Sequence, residues 1–169
     1  MNKATRILAV LVLLVTAAFA STQTKQGTTF DAPIVLTTNG PEAATTTQGK
    51  PFTETIYGGT LQNDDAYMVA VCEYGFQLDS NDLGRMTDGF ATAKGVDGTI
   101  LSRRGTTVSG LPAEASVIDS KQGNRTLRFF LVTTVKGNKA YLYLFGTWMD
   151  TQGTDTDAVK TFFESIAIQ

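Results

Sequence analysis

Three segments of the chain are apolar at nearly every position rather than at alternate positions. They are Ala66–Tyr74, Phe129–Val132 and Tyr141–Phe145. A strand with one face in water alternates polar and apolar side chains. These continuous runs therefore predict strands that are covered on both faces.

The second and third runs lie within longer predicted strands, and further strands are predicted beside them. Phe52–Tyr57 forms one strand, which Gly58-Gly59 ends. Four more are predicted at Thr99–Val108, Ala113–Ser120, Arg125–Val135 and Ala140–Trp148. The last four are joined by connections of a few residues, and loops this short pair neighbouring strands antiparallel.

Two helices are predicted from apolar positions at helical spacing. The first begins at a cap formed by Asp79 or Ser80 and ends near Lys94. The second begins at a cap formed by Thr154 and presents one apolar stripe, which consists of Val159, Phe162, Phe163 and Ile166.

The segment between residues 21 and 50 is mostly polar. Residues 21–29 are predicted to be disordered, and residues 37–50 to form a loop. Phe30–Leu36 is predicted to be a short edge strand, because Pro33 cannot donate a hydrogen bond to a central ladder. The main domain is therefore expected over residues 51–169.

The predicted order β-β-β-α-β-β-β-β-α defines an α+β fold. We expect a mostly antiparallel sheet of about six to seven strands with helices packed on its faces, an α/β/α sandwich.

Residues 1–20 have the pattern of a secretory signal peptide. Lys3 and Arg6 precede the apolar run Ile7–Val15, and Ala18-Phe19-Ala20 predicts cleavage after Ala20. The alternative is a membrane anchor, but Ile7–Ala20 is shorter than the about 20 residues that a spanning helix needs. We expect an exported protein, in the bacterial periplasm or outside the cell, with no stable membrane span after cleavage.

Composition excludes several classes of function. The chain has 14 Lys+Arg, 16 Asp+Glu and no histidine. This balance argues against nucleic-acid binding, which needs a basic face, and the lack of histidine excludes His-based triads and His metal sites. Cys72 is the single cysteine, and its apolar neighbours predict a buried, structural thiol.

The best candidate for a metal site is the group Asp150, Asp155 and Asp157. Carboxylate oxygens bind Ca²⁺, but the spacing does not match an EF-hand, and helix capping explains Asp155 and Asp157. We therefore expect neither a metal nor another cofactor. No nucleophile lies beside a base in a known motif, so no catalytic residue is predicted.

Arginines cluster in the strand-rich half of the chain. The candidate partner surface consists of Trp148 and four arginines, which are Arg103, Arg104, Arg125 and Arg128. A small basic face would suit an acidic partner, whereas the alternative is ordinary charge at strand ends and turns. The aromatic residues Tyr57, Tyr74, Tyr141, Tyr143 and Trp148 either belong to the core or line a pocket.

Short motifs spread over residues 50–168 resemble the PsbP-like superfamily. They are the central strand Tyr67–Val71, the strand-turn-strand unit Gly98–Ser102 with Val108–Glu114, the hairpin Val135–Tyr141 and the closing helix Phe162–Ile166. The resemblance implies a PsbP-like fold and, by analogy, a binding or assembly protein. It transfers no functional residue, and the histidine-linked metal contacts of the family's extrinsic photosystem II protein have no counterpart in this chain, which has no histidine.

We therefore expect a non-enzymatic binding or assembly protein. It would act through a protein–protein surface, at a sheet edge or in a helix–sheet groove, on another exported or envelope protein. The alternative is a carrier of a small apolar ligand in a helix–sheet cavity near Trp148.

Overall fold

A computed structural model describes residues 20–46 and 48–169, so the predicted signal peptide lies outside the described residues except for Ala20. The main sheet has seven strands: β3 (Thr37–Thr45), β4 (Pro51–Thr60), β5 (Ala66–Tyr74), β6 (Gly98–Val108), β7 (Leu111–Gln122), β8 (Arg125–Lys136) and β9 (Lys139–Trp148). A small sheet has three strands: β1 (Ser21–Lys25), β2 (Thr28–Ala32) and β10 (Ala167–Ile168). Two helices, α1 (Leu83–Ala91) and α2 (Thr156–Glu164), complete the fold, and a 3₁₀ turn (Ser80–Asp82) precedes α1.

The main sheet is antiparallel throughout, in the order β3-β4-β5-β9-β8-β7-β6. After β5 the chain crosses to the far edge of the sheet and returns as a four-strand meander, whose last strand, β9, pairs with β5. This arrangement confirms the predicted α+β class and the predicted antiparallel pairing. The two outer strands are β3 and β6.

Strands β5 and β9 are covered on both faces, as their continuous apolar runs predict. On one face Ala70, Cys72 and Leu144 are buried, and on the other Val69 and Tyr143 are fully enclosed. Each face has its own hydrophobic core. We call them the α1 face and the α2 face, after the helix that packs on each.

The elements that cover the two faces of the main sheet lie over different strands. On the α1 face, the helix packs against β6, β7 and β8. On the α2 face, α2 and the small sheet cover β4, β5 and β9, with Phe30 and Phe162 fully buried in the shared core. Half of each face is therefore left partly open.

The disorder predicted for residues 21–29 is wrong. Strands β1 and β2 form an antiparallel hairpin whose turn residues, Gln26 and Gly27, have φ values of 45° and 86°. Its polar side chains are buried with partners: Gln23 Nε2 donates to Ile34 O at 2.8 Å, and Thr28 Oγ1 lies 2.6 Å from Tyr143 Oη. Tertiary hydrogen bonds thus stabilise a hairpin that the polar composition of the segment does not predict.

Several element positions and boundaries also differ from the predictions. The predicted loop 37–50 contains the exposed edge strand β3. The prediction of an edge strand at Phe30–Leu36 is wrong: β2 ends at Ala32 and is the central strand of the small sheet, and Pro33 lies beyond it, so that no ladder hydrogen bond is lost. Helix α1 ends at Ala91 rather than near Lys94. The cap of α2 is Asp155, whose Oδ1 accepts from the backbone N–H groups of Asp157 and Ala158.

Phe162→Ala tests the α2 side of the fold. The ring is fully buried, and its centroid lies 5.8 Å from that of Phe30 and 5.2 Å from that of Tyr67. We expect the substitution to lower the free energy of unfolding by about 3–5 kcal/mol in urea denaturation. Lys160→Ala on the exposed side of α2 is the control and should change it by less than about 0.5 kcal/mol. Equal effects of the two variants would contradict the packing described here.

Candidate functional site

The open half of the α1 face is a groove between α1 and strands β4, β5 and β9. This α1 groove has a volume of about 620 Å³. Phe52, Tyr74 and Phe76 line it from the sheet side, and Met86 and Phe90 line it from the helix. The size is within the range of roughly 300–1,000 Å³ that is typical of small-molecule sites.

The sheet side of the α1 groove carries a row of three aromatic rings. Phe52 and Tyr74 are direct partners in the β4–β5 register, and their rings stack with centroids 5.0 Å apart. The Phe76 ring follows at 5.3 Å from Tyr74. The Lys50 ammonium lies over Phe76, 4.6 Å from the ring centroid, in a cation–π contact.

A carboxylate and a thiol lie side by side next to this row. Glu54 and Cys72 are partners in the β4–β5 register, and the Cys72 thiol donates to Glu54 Oε1 at 3.7 Å. Burial, and then the charge of Glu54, raise the pKa of Cys72 to about 12. The thiol is therefore protonated at neutral pH, and the prediction that Cys72 is buried is confirmed.

Glu54 has no cationic partner among the described residues. The other carboxylates of the α1 groove are paired: Asp82 with Arg85 at 3.3 Å, and Asp88 with Arg103. The Tyr74 pKa is raised by burial first and then by the negative charge around it, including that of Glu54. The groove thus combines apolar walls with one uncompensated carboxylate.

The open half of the α2 face has a smaller opening than that of the α1 face. This β6 trough has a volume of about 430 Å³ and lies beside α2, over β6, β7 and β8. Val117, Phe130, Val132 and Phe163 supply its apolar surface, and Arg104 stands at its side on the edge strand. Arg104 has no carboxylate within ion-pair distance in the described part of the chain.

The predicted arginine surface is divided rather than continuous. Neighbouring positions on a strand point to opposite faces, so Arg103 and Arg104 are separated by the sheet. Arg103 pairs with Asp88, and Arg128 pairs with Asp119 at 2.7 Å. Arg125 donates to Asp150 at 2.8 Å, and its guanidinium carbon lies 4.2 Å from the Trp148 ring centroid. Of the four arginines, only Arg104 is without such a partner.

The three candidate metal ligands are used separately. Asp150 accepts hydrogen bonds from the Arg125 Nε and Nη2 groups, and these bonds lower its pKa. Asp155 caps α2, and Asp157 lies in the first turn of that helix. Within residues 20–46 and 48–169, no group of three potential metal ligands is assembled.

The predicted aromatic residues have different locations. Tyr57, Tyr141 and Tyr143 are core residues of the α2 face, whereas Tyr74 lines the α1 groove. Trp148 lies at the end of β9 opposite to the groove, beneath Arg125. Trp148 therefore lines neither the α1 groove nor the β6 trough.

Phe52, Glu54 and Phe76 are not among the predicted site residues, although all three line the α1 groove. A signal for Glu54 was present, because Phe52 and Ile56 flank it at a spacing of two, on the same face of β4. A charged residue at an apolar position of a strand is expected to have a partner or a function.

No protein-family model matches this chain, and no curated protein matches it either. The resemblance to the PsbP-like superfamily therefore stays a prediction. Among the described residues, no helix has both the length and the apolar character that crossing a membrane requires.

The Cys72 thiol should resist alkylation in the native protein. With its pKa raised to about 12, little thiolate is present at pH 8, and the side chain is 5% exposed. We expect labelling by iodoacetamide, measured by intact-mass spectrometry, to be slow in buffer and complete within minutes in urea. Rapid labelling of the folded protein would contradict the burial of this thiol.

Proposed function

We propose that this chain is an exported, non-enzymatic binding or assembly protein with a PsbP-like fold. It acts through the exposed edge of β6 and the β6 trough on another exported or envelope protein. The signal-like pattern of residues 1–20 supports export, and the seven-strand antiparallel sheet with two packed helices supports the fold. The observation that carries the proposal is an unpaired edge strand beside an open apolar face.

Strand β6 has the features of an edge to which another strand can be added. It is 11 residues long and is the last strand of the sheet. A bulge lies near its start, between Ile100 and Ser102, and from Ser102 to Val108 the strand pairs with β7 without interruption. The opposite edge, β3, is interrupted by a bulge between Asn39 and Glu42 that contains Pro41. Bulges and prolines protect edges from pairing, so β6 is the better docking edge.

The chemistry of the β6 trough specifies the partner. A strand added to β6 places alternate side chains over the open half of the α2 face, where Val117, Phe130 and Val132 are only half-buried. Arg104 is available for an acidic residue of the partner. The partner segment is therefore an extended one with alternating apolar residues and at least one carboxylate.

Two observations favour binding over catalysis. The chain has no histidine to act as a general base, and the only cysteine is buried and protonated. The β6 trough adjoins the unpaired edge of β6, which suits a macromolecular partner that can add a strand.

Site-specific photocrosslinking tests this assignment. A photoreactive residue is placed at Thr106 on β6 or, as a control, at Thr38 on β3, and adducts formed in the cell envelope are identified by mass spectrometry. We expect one reproducible adduct from Thr106 and none of the same mass from Thr38. Arg104→Glu should reduce that adduct at least fivefold, because the new carboxylate repels an acidic partner.

Arg125→Glu is the matched charge reversal, since Arg125 is also exposed but lies away from the β6 trough. It should leave the Thr106 adduct in place. Adducts of equal yield from both edges, or an adduct indifferent to Arg104→Glu, would contradict docking at β6.

The second candidate function is the carriage of a small apolar ligand. The α1 groove favours it, because its volume is about 620 Å³. If the protein carries such a ligand, native mass spectrometry of protein purified from its own host should show a species heavier than the polypeptide. Phe52→Glu, which places a charge in the aromatic row, should abolish that species. An unliganded mass under gentle ionisation would count against carriage.

A further inference from the structure

We infer that the α1 groove binds an organic cation, an amine or quaternary ammonium group on an apolar body. The cationic group is held by Glu54 and the aromatic row, and the apolar body packs against Leu78, Met86 and Phe90. This inference deepens the second candidate function, ligand carriage, and adds the chemical class of the ligand.

The first step is the charge balance of the α1 groove. Five charged residues line it: Lys50, Glu54, Asp82, Arg85 and Asp88. Asp82 and Arg85 pair with each other, and Asp88 pairs with Arg103. Lys50 places its ammonium over Phe76 and forms no ion pair with Glu54. Among the described residues, Lys50 and Glu54 are thus the two charges of the groove without an ion-pair partner, and Glu54 is the one that lies next to the stacked rings of Phe52 and Tyr74.

A second carboxylate strengthens this negative potential. Glu42 on β3 is the direct register partner of Glu54 on β4. Like charges directly opposite each other on neighbouring strands are unfavourable. A bound cation near Glu54 would relieve this repulsion, whereas an anion would increase it.

The aromatic row is the second element of recognition. The faces of aromatic rings attract cations. Beside a carboxylate, the rings supply a polarisable surface for the cation, and the carboxylate neutralises its charge. The Lys50 ammonium over Phe76 shows that the geometry of this row accommodates a cation. A ligand cation would contact the same kind of surface at Phe52 and Tyr74, next to Glu54.

The opposite wall determines the rest of the ligand. Met86 and Phe90 are half-buried on α1, and Leu78 is half-buried just before the 3₁₀ turn. An unbranched Met side chain adapts to apolar bodies of different shape. The α1 groove therefore fits an amphiphilic amine better than a small hydrophilic one.

Calorimetric titration with three ligands that share one apolar body tests the inference. The ligands are 4-phenylbutylamine, 4-phenylbutanol and 4-phenylbutyrate, which are cationic, neutral and anionic at pH 7. We expect the amine to bind about tenfold more tightly than the alcohol, and the carboxylate to bind most weakly. Backbone NMR shifts should map the amine to Phe52, Glu54 and Tyr74.

Glu54→Gln keeps the shape of the side chain and removes its charge. We expect the variant to lose the about tenfold preference for the amine and to keep its affinity for the alcohol. Glu73→Gln is the matched control, because Glu73 is exposed on the other face of β5 and pairs with Lys139. Lys50→Ala should tighten amine binding, since it removes a competing cation.

The outcomes separate the ligand class from carriage itself. Equal affinities for amine and alcohol, or a preference that survives Glu54→Gln, would overturn the cation inference and leave carriage standing. Absence of binding by all three ligands would overturn both. If Glu54→Gln does not fold, the salt dependence in the unmodified protein decides: amine affinity should fall with added salt, and alcohol affinity should not.

Discussion

The pairing of β5 with β9 is the interaction on which the rest of the structure depends. It joins the first three strands of the main sheet to the four-strand meander, and both strands are apolar on both faces. A sheet with such a centre is stable only if each face is covered. The chain between β5 and β6 must cross to the far edge, so α1 covers only the meander side of its face. The other face is covered by the two ends of the described chain.

These two ends are fastened to each other as well as to the sheet. Strand β10 pairs with β2, and the Ser165 hydroxyl accepts from the backbone N–H of Asp31 at 2.7 Å. The Thr28–Tyr143 hydrogen bond connects the small sheet to β9, which is a central strand of the main sheet. Each such bond contributes roughly 0.5–1.5 kcal/mol. Their number explains how a polar hairpin can serve as part of a hydrophobic cover.

The sequence was most informative where burial is continuous. The strands from β5 to β9 were predicted within a few residues, because apolar runs and short turns are local signals. Strands β1 and β3 were not, since Gln23 gains its partners only in the folded chain and β3 is exposed along its length. The same limit applies to the sites. Glu54 is recognisable in the sequence as a charged residue at an apolar position of a strand. The ion pairs of Arg103 with Asp88 and of Arg125 with Asp150 are not recognisable there, because each joins residues from separate elements.

The offset between the two covers gives the protein two openings of opposite character. Uncompensated negative charge lies in the α1 groove at Glu54, whereas uncompensated positive charge lies at Arg104 beside the β6 trough. A net charge of −2 describes neither opening. Because the openings lie on opposite faces and over different strands, a partner strand on β6 and a cation in the groove do not compete for space. The two proposed binding events are therefore compatible in one molecule, because the α1 groove is lined mainly from β4, β5 and α1, and the β6 trough from β6, β7 and β8.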